Sequence, residues 1–242
     1  MKISLAQARP VPGNIQANIA NHLKLIKLAA SIDADMIIFP ELSITGYEPK
    51  LASALATQLD DHRFNGFQDL SDKHAMVIGI GMPLRVSGGI SIGMIIFQPD
   101  RPRSHYTKKY LHPDEEPYFV SKESAIDSIS IDQKIALAIC YEISVDDHAE
   151  ATARRAASVY LASVDKTTRG IEQAIERLSA IAKKYSVTAL VANCAGTCDG
   201  GVCGGKTSIW NRQGILIGQL DQREQGILMI DTKNDSIIKK WL

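Results

Sequence analysis

The sequence predicts an α/β protein in which helices cover a mixed β-sheet system, and three observations carry that expectation. Strand-like and helix-like hydrophobic periods alternate from one end of the chain to the other. No linker, repeat or low-complexity tract interrupts them, so one domain over residues 1–242 is expected. A length of 242 residues with near-average composition is ample for a large buried core.

The elements follow in order. Lys2 to Ala8 alternates like a strand. Asn14 to Ser31 places Ile15, Ile19, Leu23, Ile26 and Ala30 on one helical stripe, with Asn14 as N-cap. Met36 to Phe39 is a buried strand ending at Pro40, and Pro49 to Lys73 is helical but weakly patterned. Met76 to Gly81 and Ile90 to Phe97, separated by Pro83 and the Ser87-Gly88-Gly89 turn, read as a hairpin. Ser104 to Thr107 continues the sheet. Pro113 and Pro117 then forbid regular structure across much of Lys108 to Ser128. Lys134 to Ile139 and Val159 to Ala162 are strands, and a helix is expected near Asp146. Gly170 to Tyr185 is a helix carrying Ile171, Ile175, Leu178 and Ile181 on one face. Val187 to Ala192 is a strand, a Gly/Cys-rich loop follows, and Thr207 to Ile230 reads as a meander.

Composition excludes several function classes. Twenty-seven basic residues balance 27 acidic ones, which removes the usual electrostatic reason to propose nucleic acid or an anionic membrane as partner. The longest apolar stretches, such as Ile135 to Cys140, are strand-sized, and the first residues lack a signal-peptide layout, so a cytoplasmic location is the default expectation. Four cysteines in a chain this long do not make a disulfide scaffold. Cys194, Cys198 and Cys203 have spacings of four and five with no histidine nearby, so reduced, unligated thiols are expected there and no metal.

Three strands run out of apolar residues at a polar, reactive side chain: Met36 to Pro40 at Glu41, Ser104 to Thr107 at Lys108, and Lys134 to Ile139 at Cys140. Sites in α/β sheets gather at strand ends, so the three can converge. A cysteine at the end of an apolar strand is, by itself, more often an inert core thiol. The polar break Tyr141-Glu142-Ile143-Ser144 after it favours an elbow, where helix amides stabilise thiolate and oxyanion alike. A thiol attacking an amide needs a base, an oxyanion stabiliser and a proton donor for the departing amine. His22 and His74 lie on helical segments, and neither His112 nor His148 comes with an obvious orienting Asn or Asp. Glu41 is the stronger base, because desolvation at a buried strand end raises a carboxyl pKa; a plain loop carboxylate is its alternative.

Phe39-Pro-Glu-Leu-Ser-Ile-Thr-Gly-Tyr47, Tyr106-Thr-Lys-Lys-Tyr-Leu111 and Ala138-Ile-Cys-Tyr-Glu142 resemble, in order and approximate spacing, the three signatures of the nitrilase (carbon–nitrogen hydrolase) superfamily. The opening Ile3 to Asn14 and the Val191 to Gly196 loop with Gly204-Gly-Lys-Thr-Ser-Ile-Trp210 extend the resemblance over nearly the whole chain. It implies a four-layer α-β-β-α sandwich, pairing into a homodimer, no cofactor, and a small amide-type substrate. Glu41 matches the general base, Cys140 the nucleophile that forms a thioester, and Lys108 the oxyanion stabiliser, with the backbone N–H after the nucleophile assisting. Strand alternation points the neighbouring Lys109 to the other face. Of Glu115 and Glu116, the family's eight-residue offset after the lysine favours Glu116 as a supporting glutamate. Tyr141 and Glu142 are expected at the oxyanion and substrate pocket. Where many members carry an arginine, this chain has Ser144, which removes the main support for dicarboxylic monoamides as substrates. Amide, N-carbamoyl and nitrile substrates stay open, as does acyl transfer.

Two other patterns compete. Gly200 to Thr207 matches a phosphate-binding P-loop, which requires a helix to begin at Lys206-Thr207; the alternation after Thr207 predicts a strand instead. Gly79-Ile-Gly81 has Leu84 where a dinucleotide fingerprint needs its third glycine. A catalytically silent homologue is the third alternative.

Overall fold

The computed structural model describes residues 1–122, 124–198 and 201–242, with the side chains of residues 152, 153 and 198 outside the description. In chain order the strands are β1 (Lys2–Gln7), β2 (Met36–Ile38), β3 (Val77–Val86), β4 (Gly89–Phe97), β5 (Ser104–Thr107), β6 (Ser128–Ser130), β7 (Lys134–Ile139), β8 (Val159–Ser163), β9 (Thr188–Ala192), β10 (Ala195–Cys198), β11 (Gly201–Gly204), β12 (Ser208–Trp210), β13 (Leu216–Gln219), β14 (Gly226–Asp231) and β15 (Ser236–Trp241). The α-helices are α1 (Ile15–Ala30), α2 (Ala52–Leu55), α3 (Asn65–His74), α4 (Asp146–Arg154) and α5 (Thr168–Tyr185).

One sheet has the order β15-β14-β1-β2-β3-β4-β5 and a second the order β13-β12-β9-β8-β7-β6. Each has three parallel central strands, β1-β2-β3 and β7-β8-β9, with antiparallel neighbours outside them. Strand alternation sorts the apolar side chains into three layers. Ile3, Leu5, Met36 and Ile38 meet Ile135, Leu137, Val159 and Leu161 between the sheets. On the opposite pleats, Ile37, Phe39, Ile78 and Ile80 pack with Leu25, Ile26 and Phe67 of α1 and α3. Ala138, Tyr160, Ala162 and Val191 pack with Ile171, Leu178 and Ile181 of α5. The result is the expected α-β-β-α sandwich, with each sheet buried on both faces over its parallel centre.

Several local expectations shift. The deepest line of α1 is Asn18, His22, Leu25, Ile26 and Ala29, while Ile15, Ile19 and Leu23 pack half-buried on its flank. Two polar residues go inside because their hydrogen bonds are met there. Asn18 bonds Val11 and the Ile44 carbonyl; His22 Nδ1 meets the Asn18 carbonyl at 2.7 Å and Nε2 meets Ser43 Oγ at 2.9 Å. The expected Gly/Cys-rich loop is the β10–β11 hairpin, and β15 adds an edge strand that was not expected. Gly200 of the candidate P-loop lies outside the described residues. β12 begins one residue after Thr207, Lys206 pairs with Glu172, and the Thr207 amide donates to Gln7 Oε1 at 3.0 Å, so Lys206-Thr207 leads into a strand and starts no helix. Among the described residues no helix is long and apolar enough to cross a membrane.

Candidate active site

The site lies at the carboxyl ends of β2, β5, β7 and β8. Ser163 Oγ at the end of β8 donates to the Phe39 carbonyl at 2.8 Å, joining the two sheets at this end.

Glu41 sits in the turn after β2, and α1 holds that turn through Asn18 and His22. From beneath, β3 crosses so closely that a Cβ on Gly81 would lie 2.3 Å from the Leu42 nitrogen and 2.4 Å from the Pro40 carbonyl oxygen. Gly81, read in the sequence as half of a GxG element, is there to admit the Glu41 turn. Lys108 follows β5 with its ammonium fully buried, 2.8 Å from Glu41 Oε1 and 2.6 Å from Glu115 Oε1. Cys140 is half-buried at the elbow between β7 and a short 3-10 turn, with φ +43°, a left-handed conformation that costs a non-glycine residue energy and turns its thiol out of the strand.

Charges and burial set the protonation states. Burial pushes the Glu41 carboxyl above the ordinary range, Lys108 opposes this, and Glu115 adds to the rise. Glu41 Oε2 has no hydrogen-bond partner of good geometry among the described residues, while the Cys140 thiol lies near enough to favour the carboxylate. The Cys140 thiol is pushed up to about 12, first by burial and then by the charge of Glu41, with Lys166 and Lys108 pulling the other way. Burial alone would lower Lys108, but Glu41, Cys140 and Glu115 more than reverse that, so it stays an ammonium. At neutral pH Cys140 therefore rests as a thiol.

Above Cys140 is a cavity of about 330 Å³ lined by Tyr47, Lys108, Glu115, Tyr141 and Lys166 among others. The expected supporting glutamate, Glu116, is exposed; Glu115 takes that place, its Oε1 also accepting from Tyr47 Oη at 2.9 Å and its Oε2 from the His112 amide at 2.7 Å. The loop makes a turn at 112–115 that aims residue 115 inward, which counting from Lys108 does not reveal. Lys109 points away and pairs with Asp127. Tyr141 lines the cavity, and Glu142 does not. It is buried behind the elbow, accepting from Tyr106 Oη and the Ile139 amide at 2.7 Å each and from the Lys109 amide at 2.6 Å. Glu142 thus ties the end of β5 to the elbow and positions Lys108 relative to Cys140. Ser144 is exposed and outside the cavity wall.

Tyr47, Asp165, Lys166 and Thr167 are among the wall residues with no role assigned from sequence. Tyr47 stood inside a quoted motif. Asp165, Lys166 and Thr167 follow β8, the same strand-end position that flagged the other three. Lys166 is pinned through its backbone: its amide donates to Asn193 Oδ1 at 2.9 Å and its carbonyl accepts from Gly204 at 2.8 Å. Its ammonium makes no hydrogen bond or ion pair among the described residues. The Asp165 carbonyl accepts from Cys140 Sγ at 3.9 Å, and its carboxylate lies with the Cys194 and Cys203 sulfurs, all three donor atoms within 4.8 Å of one another.

Known proteins share this architecture. The NitN amidase from Nesterenkonia sp. AN1 superposes with a TM-score of 0.86 at 22% identity, covering 96% of this chain and 92% of that one. Another structure of that enzyme, with acrylamide added to its active-site cysteine, gives 0.86 at 21% identity and coverages of 97% and 94%. In sequence, the glutamine-dependent NAD(+) synthetase of Acinetobacter baylyi is 26% identical over 225 residues, 90% of this chain but only 41% of that protein's length. The family model described as carbon-nitrogen hydrolase matches residues 2–239. The chain belongs to the carbon–nitrogen hydrolase family.

Proposed function

We propose that the protein is an amidase-type hydrolase of non-peptide carbon–nitrogen bonds, working through Glu41, Lys108 and Cys140 on a small amide or N-carbamoyl substrate. The observation that carries this reading is one buried ammonium, Lys108, held between the Glu41 and Glu115 carboxylates under a cavity floored by Cys140.

In this reading Glu41 takes the proton of the Cys140 thiol as Sγ attacks the substrate carbonyl carbon. The oxyanion forms against the Lys108 ammonium and the Tyr141 backbone N–H. Collapse of the tetrahedral intermediate breaks the C–N bond, and Glu41 returns the proton to the departing ammonia or amine. Glu41 then deprotonates a water that attacks the thioester, releasing the acid and restoring the thiol. A thiol raised to about 12 makes the base obligatory, because little thiolate exists at neutral pH without it. The cavity, about 330 Å³, suits a substrate of few heavy atoms. Lys166 on its wall favours a substrate whose far end is anionic.

A panel of primary amides and N-carbamoyl compounds, read for ammonia release beside Cys140→Ala, tests the reading. Turnover that vanishes in the variant is the expected result. No ammonia from any compound, with Cys140 alkylated by iodoacetamide no faster than Cys194, sinks it and leaves a catalytically silent homologue.

A further inference from the structure

We propose that Asp165, Cys194 and Cys203 form a binding site for a thiophilic divalent cation of the zinc class, set behind the cavity wall at Asp165. The three come from separate stretches: the turn after β8, the residue after β9 and Asn193, and strand β11. Spacing within the sequence could not show this set, because its carboxylate precedes the first of its cysteines by a whole helix and strand. Cys194 and Cys203 are 0% and 1% exposed, which shields the sulfurs from solvent.

The geometry fits an ion. The three donor atoms lie within 4.8 Å of one another, and a triangle with no longer edge contains a point within about 2.8 Å of every corner. Shifts of about 0.5 Å at the sulfurs and about 0.8 Å at the oxygen bring that point to ordinary zinc–sulfur and zinc–oxygen distances of about 2.3 and 2.0 Å. The edge from Cys203 Sγ to Asp165 Oδ1 is already 3.4 Å, close to the about 3.5 Å that separates sulfur and oxygen on a tetrahedral zinc. The chemistry fits as well, since two thiolates and a carboxylate give a soft, anionic donor set with the fourth position left to water or substrate.

The frame is rigid. Gly204, next to Cys203, donates its amide to the Lys166 carbonyl at 2.8 Å, and Gly205 donates to the Cys194 carbonyl at 3.0 Å. Binding displaces the two thiol protons to solvent, so affinity rises with pH. One ligand residue is itself a contact of Cys140, because the Asp165 carbonyl accepts from Cys140 Sγ at 3.9 Å.

The test is a Co²⁺ titration of the reduced, anaerobic protein, in wild type and in Cys140→Ala so that the catalytic thiol cannot contribute. The expected result in both is one equivalent of a thiolate-to-cobalt charge-transfer band with tetrahedral ligand-field bands, bleached by one equivalent of Zn²⁺. Cys194→Ser or Cys203→Ser removes about half or more of the charge-transfer intensity, since one of two thiolates is lost. Asp165→Asn keeps the band and weakens binding by about tenfold or more. Absence of the band at stoichiometric Co²⁺, or its survival in the Cys194→Ser/Cys203→Ser double variant, overturns the proposal. Should the serine variants fail to fold, Zn²⁺ protection of Cys194 and Cys203 from alkylation in the Cys140→Ala protein, located by mass spectrometry, decides the matter: protection is expected, and equal labelling with and without zinc overturns it.

Discussion

Glu115 Oε1 lies 2.6 Å from Lys108 Nζ and receives the Tyr47 hydroxyl at 2.9 Å, so one carboxylate oxygen anchors the buried ammonium and the cavity wall together. Glu115→Gln keeps the shape and removes the charge. Lys108 is then less firmly placed, and kcat is expected to fall about a hundredfold. A second readout separates this from mere loss of packing. The charge of Glu115 helps raise the Glu41 carboxyl, so the variant's acidic limb in kcat/KM moves to lower pH. Glu116→Gln, at an exposed position, leaves both rate and profile unchanged.

The pair Glu41 and Cys140 gives a prediction in which ionisation and turnover move apart. The proposed mechanism needs Glu41 as a carboxylate, and burial holds its pKa above the ordinary range. Wild-type kcat/KM therefore falls on the acid side at a pH higher than a surface glutamate would give. Glu41→Gln removes the charge that is the second cause of the high thiol pKa, so the Cys140 thiol ionises below about 12 in the variant. Turnover nevertheless drops by about 10³-fold, because nothing takes the proton or activates water. Thiolate absorbance against pH, beside steady-state rates, checks both halves. A thiol pKa that rises in Glu41→Gln contradicts the assignment.

Gly81→Ala tests the close approach beneath Glu41. A methyl group would sit 2.3 Å from the Leu42 nitrogen, backbone against backbone, so the turn must move. The expected cost is about 1–3 kcal/mol in stability from the forced shift. Activity should suffer more than stability, since Glu41 Oε1 loses its 2.8 Å bond to Lys108. Chemical denaturation and ammonia release on the same preparation provide the comparison.

How much of this was legible in the sequence depended on whether a residue stood in a periodic segment. Glu41, Lys108 and Cys140 could be found because each ends an apolar strand, and strand ends are visible as breaks in pattern. The stretch from Lys108 to Ser128 has no period, and its turn at His112 to Glu115 is set by tertiary bonds to Lys108 and Tyr47. Counting therefore favoured Glu116. Glu142 departs from strand alternation for a related reason: Cys140, two residues before it, has a positive φ that turns the chain into the 3-10 elbow. The β10–β11 hairpin was hidden by its glycines and β15 by exposed polar residues such as Lys239 and Lys240, which erase hydrophobic alternation. Asp165 and Lys166 obey the strand-end rule after β8 and were detectable by applying it once more.

Glu142 gives a prediction for stability. Burial raises its carboxyl from the ordinary 4.5 to about 7, although Tyr106 and the Ile139 and Lys109 amides oppose the rise. Between those two values the folded protein binds more protons than the unfolded chain, so this group makes stability fall as pH rises from about 4.5 to about 7. Glu142→Gln, which cannot titrate, should flatten the melting temperature across that window. Glu142→Ala also removes the tie between β5 and the elbow and should lower the melting temperature at every pH. A wild-type melting temperature with the same slope as Glu142→Gln would remove Glu142 as the source.

The proposed function gives Lys166, on the cavity wall, a prediction about the far end of the substrate. Lys108 is neutralised by two carboxylates, and Ser144 is exposed outside the cavity, which leaves Lys166 as a wall cation with no ion pair among the described residues. An amide with a terminal carboxylate, such as succinamate, should be favoured over butyramide of similar length, because it gains a charge-assisted hydrogen bond in a partly desolvated site. Lys166→Met is expected to reduce the ratio of kcat/KM for succinamate to that for butyramide by about tenfold or more, chiefly through KM. Lys166→Arg keeps the charge and should retain most of that ratio. Calorimetric binding of succinamate to Cys140→Ala, with and without Lys166→Met, reads the same preference without turnover. Equal binding in the two proteins would assign substrate selection to another wall residue.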